Sequence, residues 1–336
     1  MPKLSVSAWL APDDAAALAS LKDHAGLLSR LYPQWYWCGP EGMPLRRTDA
    51  GPEARQKVLK LARGGGLELW PHLCVQPLAG PGPEPQGDRG VGLQRILFDA
   101  ASRRAHAAEV LRLVREDGVQ GVDLDYGRLP DAAREPFKAL VSEICSLFHA
   151  AGLKVGVVAQ ARTGQLGARS ALEAGDDAPL AWASVCDALQ IMARYPGLGQ
   201  AGPARPGPLA PPDWCWEVLG RVGLLAPVER IEWALPGGGG DWGPDGAAKG
   251  LPWDAWAALA RAHPPERRDA RTAELTLAYE GREAWTNDAI SLTAKLWKLR
   301  LHGVTQVALW GLGAEDPRVW ALVDSLPGDF LGTEQQ

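Results

Sequence analysis

The sequence predicts an α/β protein: a single (β/α)8 barrel of the TIM type, with a small α+β insertion between its seventh and eighth strands. Three observations predict it. Short runs rich in Val, Ile, Leu and Trp alternate with longer stretches whose apolar residues recur at helical spacing. Alternation of this kind builds a parallel sheet with helical crossovers. Eight strand candidates spread over 336 residues suit one barrel domain, residues 1–336.

The strand candidates, in order, are Leu4–Leu10, Gln34–Cys38, Leu67–Val75, Gly121–Tyr126, Leu153–Ala159, Ala188–Ala193, Ile231–Leu235 and Gln306–Leu312. Each is apolar and is bounded by Gly, Pro or Asp. Helices are expected over Ser102–Asp117, Arg134–Ala151 and Ala289–His302, with Gly152 and Gly303 placed to end the second and third in a left-handed cap. Two loops rich in Pro and Gly, Pro77–Gly90 and Pro196–Pro212, follow the third and sixth strand candidates. They are expected to wall the face where barrel enzymes carry their sites. Gly243–Asn287 holds a helix-like LPWDAWAALARAH and an alternating TAELTLAYEG, which reads as the insertion, residues 243–287.

Composition narrows the function. The formal net charge is -5 and no basic cluster stands apart from acids, which disfavours a nucleic-acid surface. The five cysteines are scattered without C-x-x-C spacing, so neither a zinc site nor a disulfide framework is expected, and no metal or organic cofactor is implied. No segment reaches the roughly 18 apolar residues of a membrane span. The first residues, MPKLSVSAWLAP, carry no signal-peptide pattern, so the expectation from sequence is a cytoplasmic chain. Fifteen tryptophans against four phenylalanines suggest that several rings line a wet groove.

The chemistry concentrates in EDGVQGVDLDYGRL, residues 116–129. Alternate residues of a strand share a face, so Asp123, Asp125 and position 127 point one way and Val122, Leu124 and Tyr126 the other. In a barrel strand covered by helices, the two acids face the axis. Paired interior carboxylates cost desolvation and repulsion and add nothing to packing, which points to function.

The run resembles the signature of glycoside hydrolase family 18, D-G-x-D-x-D-x-E, with Gln120 in place of the first Asp and Gly127 in place of the Glu. RLPDAAREPFKALVSEICSLFHAAGLKVGVV is similar to the helix and fifth strand of that family's spore-germination branch. DALQIMARY, RIEWALPGGGGDW and SLTAKLWKLRLHGVTQVALWGLGAEDP resemble its sixth, seventh and eighth strands in turn. The resemblance implies hydrolysis of β-linked N-acetylglucosamine polymers such as chitin and peptidoglycan. There a Glu protonates the leaving oxygen and the substrate's own acetamide attacks. It implies that Asp125 orients the acetamide with Asp123 as its partner, and that Trp310 floors the sugar site. Trp242 is retained, while Gly238 replaces a Tyr; Arg194 stands at the position of the family's acetamide-holding Tyr, with Tyr195 next to it. Trp9 is a further candidate wall of the mouth.

With Gly127 at the acid's position, three readings follow: a glycan-binding barrel with little or no hydrolysis, a hydrolase whose acid has moved to Glu232 or Glu68 (Asp241 being a third candidate), and a barrel serving structure or interaction without a sugar site. The family mostly acts outside the cytoplasm, against the expectation from the N-terminus.

Overall fold

The computed structural model describes residues 4–11, 13–39, 41–75, 89–127, 131–160, 184–192, 206–223 and 226–325. Arg194 and Tyr195 lie outside them, as does most of the two Pro- and Gly-rich loops.

An α/β core is built on one curled, mostly parallel sheet. Ser5–Leu10 lies between Arg30–Pro33 and Gln306–Trp310; from Gln306–Trp310 the order runs on through Ile231–Pro236, Ala188–Met192, Lys154–Gln160 and Gly121–Asp125 to His72–Cys74. The stretch from Glu68 to Cys74 forms two short strands around Trp70 and Pro71. Its first piece pairs with Arg30–Leu31 and its second with Asp123–Asp125. Trp70 N–H donates to the Leu31 carbonyl at 3.0 Å, and Gln120 N–H to the Leu69 carbonyl at 3.1 Å. One stretch is thus bonded to a neighbour on each side, and the sheet curls back on itself.

The second strand corrects the expected boundary. It starts at Arg30, not Gln34, and comes in two pieces, Arg30–Pro33 and Tyr36–Cys38. RLYP carries a charge and a proline and does not read as an apolar run, whereas the following WYWC does. Arg30 is tolerated because it faces the sheet's interior, where its guanidinium lies 3.7 Å over the Trp70 ring.

Two apolar layers follow from the alternation. Val6, Leu31, Val122, Leu124, Val157 and Trp233 face outward into the layer shared with the helices. Trp9, Tyr32, Trp70, Val158, Met192 and Ala234 face inward and fill the curl, with partly buried Trp310 packed on them. The helices Ala100–Asp117, Arg134–Ala150 and Ala289–Leu301 match the expected spans to within two residues. Gly152 at φ 72° and Gly303 at φ 86° take the left-handed conformation expected beyond the last two.

Between Pro236 and Asp288 the chain forms a second sheet of five strands, with antiparallel pairing throughout. Its first strand is Gly239–Trp242, and the helix Trp253–Ala262 packs through Trp256 against Leu251, Leu275 and Leu277. A buried clamp ties this region to the helix Ala289–Leu301. Lys295 Nζ donates to Glu274 at 2.5 Å and also to Asn287, and Glu274 accepts Leu209 N–H at 2.8 Å. Both charges are buried, which such a pair tolerates only when hydrogen bonds complete it.

Candidate functional site

The inward face of Gly121–Asp125 carries the two acids. Val122 and Leu124 are fully buried among outward-facing side chains. Asp123 is fully buried inside the curl, and the Asp125 side chain, at the strand's last residue, keeps 14% of its exposure. The pair stands at the C-terminal end of a parallel strand, the end at which barrel enzymes place their chemistry.

Asp123 Oδ2 accepts two hydrogen bonds, from Trp9 Nε1 at 2.9 Å and from His72 Nδ1 at 2.6 Å. Its other oxygen, Oδ1, is buried without a hydrogen-bond partner. His72 is paired in register with Asp123 and Cys74 with Asp125. The second ring nitrogen, His72 Nε2, makes no hydrogen bond and stands 4.0 Å from Asp125 Oδ2. Burial opposes a charged imidazole here, but Asp123 and then Asp125 outweigh it and hold the His72 pKa above its ordinary value. The sequence reading missed His72. Its signal was a lone His among Trp70 and Cys74 on the inward face of the strand beside the acids.

Position 127 leaves the strand in a tight turn. Asp125 Oδ1 accepts Gly127 N–H at 2.8 Å, and Gly127 sits at φ 62°. Among the described residues, its chain neighbours aside, no atom lies within 4 Å of a Cβ built there, and the glycine answers to backbone conformation. Gly238 is the opposite case. A Cβ there would meet the Leu251 carbonyl oxygen at 2.9 Å and that of Ala314 at 3.1 Å, so no tyrosine fits without moving backbone.

Behind the turn, Tyr126 faces the helices. His106 contacts the Gly42 carbonyl through Nδ1 at 2.7 Å and the Tyr126 hydroxyl through Nε2 at 2.6 Å. A carbonyl only accepts, so Nδ1 carries the proton and Nε2 accepts from Tyr126. Burial pushes the His106 pKa down to about 4 and keeps this tautomer neutral.

Trp9 is fully buried beneath the acids, with ring centroids 5.3 Å from Trp310 and 4.7 Å from Tyr32. It supports Asp123 from within and presents no free face. Trp242 is buried in the second sheet. Trp310, the last residue of its strand, is partly exposed and lies 6.2 Å from His72 between centroids. The expectation that many tryptophans line a groove does not hold for most of the described ones. Trp9, Trp35, Trp70, Trp214, Trp233, Trp242, Trp256 and Trp320 are buried. Carboxylates accept the indole N–H of some of them: Asp123 for Trp9, Glu266 for Trp256 and Glu315 for Trp320.

The two candidate replacement acids lie at the other end of the strands. Glu232 is the second residue of Ile231–Pro236 and is fully buried. It accepts from the Tyr32 hydroxyl and lies 3.8 Å from Arg30. Burial raises its pKa, Arg30 and Tyr32 oppose that, and Asp123 adds to it. Glu68 begins its strand and bonds Arg30 at 3.3 Å. Asp241 is clamped by Arg282 at 2.7 Å. Among the described residues no group of three or more His, Cys, Asp or Glu could hold a metal ion, and no helix is long and apolar enough to cross a membrane.

The fold and the site thus define an α/β protein with a curled parallel sheet and an acidic pair at the C-terminal ends of its strands. Solved structures share this fold. A chitinase from Chromobacterium violaceum ATCC 12472 is 23% identical with a TM-score of 0.78, covering 96% of this chain and 98% of that one. The Bacillus cereus spore cortex-lytic enzyme SleL is 20% identical with a TM-score of 0.77, over 96% of this chain and 74% of that one. A GH18 chitinase from Cycas revoluta, solved in complex with (GlcNAc)3, is 15% identical with a TM-score of 0.76, over 96% and 100%. At these identities the likeness is one of fold: the chain has the fold of these chitinases, one of them a GH18 chitinase, and of the spore cortex-lytic enzyme SleL. No protein-family model and no curated protein matches the sequence.

Proposed function

We propose that this chain is a family 18-type barrel that binds a glycan containing N-acetylglucosamine, of the chitin or peptidoglycan type, with little or no hydrolysis. In this reading the curled sheet is one (β/α)8 barrel spanning residues 1–336, with 243–287 inserted between its seventh and eighth strands. The observation that carries it is the acidic pair itself. Asp123 and Asp125 face inward at the end of the strand beside His72, whose ring lies 6.2 Å from that of Trp310, while Gly127 offers no proton. In this reading Asp125 accepts the acetamide N–H, Asp123 backs it, and Trp310 supplies an apolar face for the sugar ring. Arg194 and Tyr195, Trp242 and Trp9 complete the proposed substrate set, the last two as support.

Loss of a general acid removes about 10²–10⁴-fold in rate. A relocated acid is the weaker reading, because Glu232 and Glu68 stand at the N-terminal ends of their strands, bonded to Arg30. The supporting neighbours are a chitinase solved with (GlcNAc)3 and a spore cortex-lytic enzyme. The test is calorimetric titration with (GlcNAc)3 beside a turnover assay. Saturable binding without product, weakened about tenfold or more by Trp310→Ala or Asp125→Asn, is expected, since each removes roughly one strong contact. Turnover abolished by Glu232→Gln supports a relocated acid instead. No binding at any concentration leaves a structural or interaction role.

A further inference from the structure

We propose that His72 is the positioning residue of this site: as an imidazolium it bridges Asp123 and Asp125 and holds both carboxylates charged in one arrangement. Its consequence for glycan affinity rests on the glycan-binding reading above; the bridge itself does not.

The geometry assigns the protons. Asp123 Oδ2 can only accept, and it lies 2.6 Å from His72 Nδ1, so Nδ1 is the protonated nitrogen. Trp9 donates to the same oxygen at 2.9 Å, so its 3.3 Å approach to His72 Nδ1 is one donor passing another. Nδ1 being fixed, the second proton can go only to Nε2, which is buried, makes no hydrogen bond and faces Asp125 Oδ2 at 4.0 Å. The surroundings fit a cation. The adjacent strand supplies the carboxylates of Asp123 and Asp125 in register with His72 and Cys74. Arg47, farther off and paired with Asp49, opposes the charge weakly. Two carboxylates withdrawn from water repel unless a cation stands between them. His72 is the residue placed to be that cation.

When Nε2 loses its proton, a lone pair faces the Asp125 carboxylate and attraction turns into repulsion. Asp125 then loses the attraction on its Oδ2 side, while its Oδ1 keeps the bond from Gly127 N–H. Affinity for an acetamide N–H donor falls as pH rises through the His72 midpoint.

NMR titration of the imidazoles tests the bridge without any ligand. His72 is identified by the signal lost in His72→Asn, and His72→Gln serves if that variant fails to fold. The expected midpoint lies above the ordinary histidine value of about 6.5 and drops by about one unit or more, a tenfold change, in Asp125→Asn. A midpoint at or below the ordinary value, or one unmoved in Asp125→Asn, overturns the proposal. The second arm measures affinity for (GlcNAc)3 at about pH 6 and about pH 9. Wild type is expected to weaken roughly tenfold and His72→Asn to show a flat profile. An equal pH dependence in the variant overturns the positioning role. A raised, Asp125-coupled midpoint with no binding at either pH upholds the bridge and removes the glycan reading.

Discussion

The two ends of the curled sheet solve the same problem differently. Each holds carboxylates inside, away from water. At the N-terminal end, Glu232 is fully buried against the Tyr32 hydroxyl, with Arg30 shared between it and Glu68. At the C-terminal end, Asp125 keeps a share of solvent exposure and His72 supplies the nearby positive charge; one oxygen of Asp123 here and one of Glu232 at the other end accept no hydrogen bond. The first arrangement is a lock and the second is a site. The difference lies in what surrounds each acid: a permanently charged guanidinium and a hydroxyl at one end, a titratable imidazole and an open turn at the other.

The largest effect is expected from breaking the lock. Glu232→Ala leaves Tyr32 without its acceptor and Arg30 without its interior carboxylate. Urea unfolding should show a loss of about 3–5 kcal/mol, typical of removing one member of a buried charged set. Glycan affinity of the folded fraction should be unchanged. A loss of under ~1 kcal/mol shows that this end is not locked.

Next comes the support behind the site. His106 must stay neutral to keep its bonds to Gly42 and Tyr126. Its folded pKa is lowered to about 4, whereas the unfolded chain takes up the proton near the ordinary value of about 6.5. The unfolded state therefore binds more protons in that window. The stability His106 contributes is complete above it and is lost as pH falls from about 6.5 through about 4, by about 3 kcal/mol in all. Melting temperature against pH should fall less steeply in His106→Gln than in wild type, whatever its level. Parallel slopes remove His106 from the account.

The smallest effect is at the open turn. Gly127→Ala places a side chain at φ 62° and should cost about 1–2 kcal/mol in thermal unfolding, with Gly127→Asn costing less. Equal stability of all three shows that the turn relaxes. Gly127→Glu carries the same penalty, and hydrolysis of oligomers measured beside it sharpens the comparison. Product above the wild-type level is expected if the groove lacks only a proton donor, and none points to the direction in which this turn sends the side chain.

Much of the site's direction was legible in the sequence because strand geometry has a period of two. Val122 and Leu124 outward with Asp123 and Asp125 inward follows from VDLD and a helix-covered sheet. The start of the second strand was not legible, because Arg30 and Pro33 look unlike strand until Trp70 lies under the guanidinium. Nor was the fate of the tryptophans, since a ring's composition does not say whether it fills a core or lines a groove. Trp9 reads as a mouth residue until its N–H is seen to meet Asp123, 114 positions away.

The sequence by itself determined the α/β alternation, the carboxylates on one face and a glycine at the position where a proton donor is expected. Only the tertiary structure decided which groups meet those carboxylates. His72 and Asp123 are 51 positions apart, and Tyr32 and Glu232 are 200 apart. The reason is physical: periodicity is local and fixes the face a side chain takes, whereas a carboxylate's charge is set by whatever the curl of the sheet brings within a few ångströms of it.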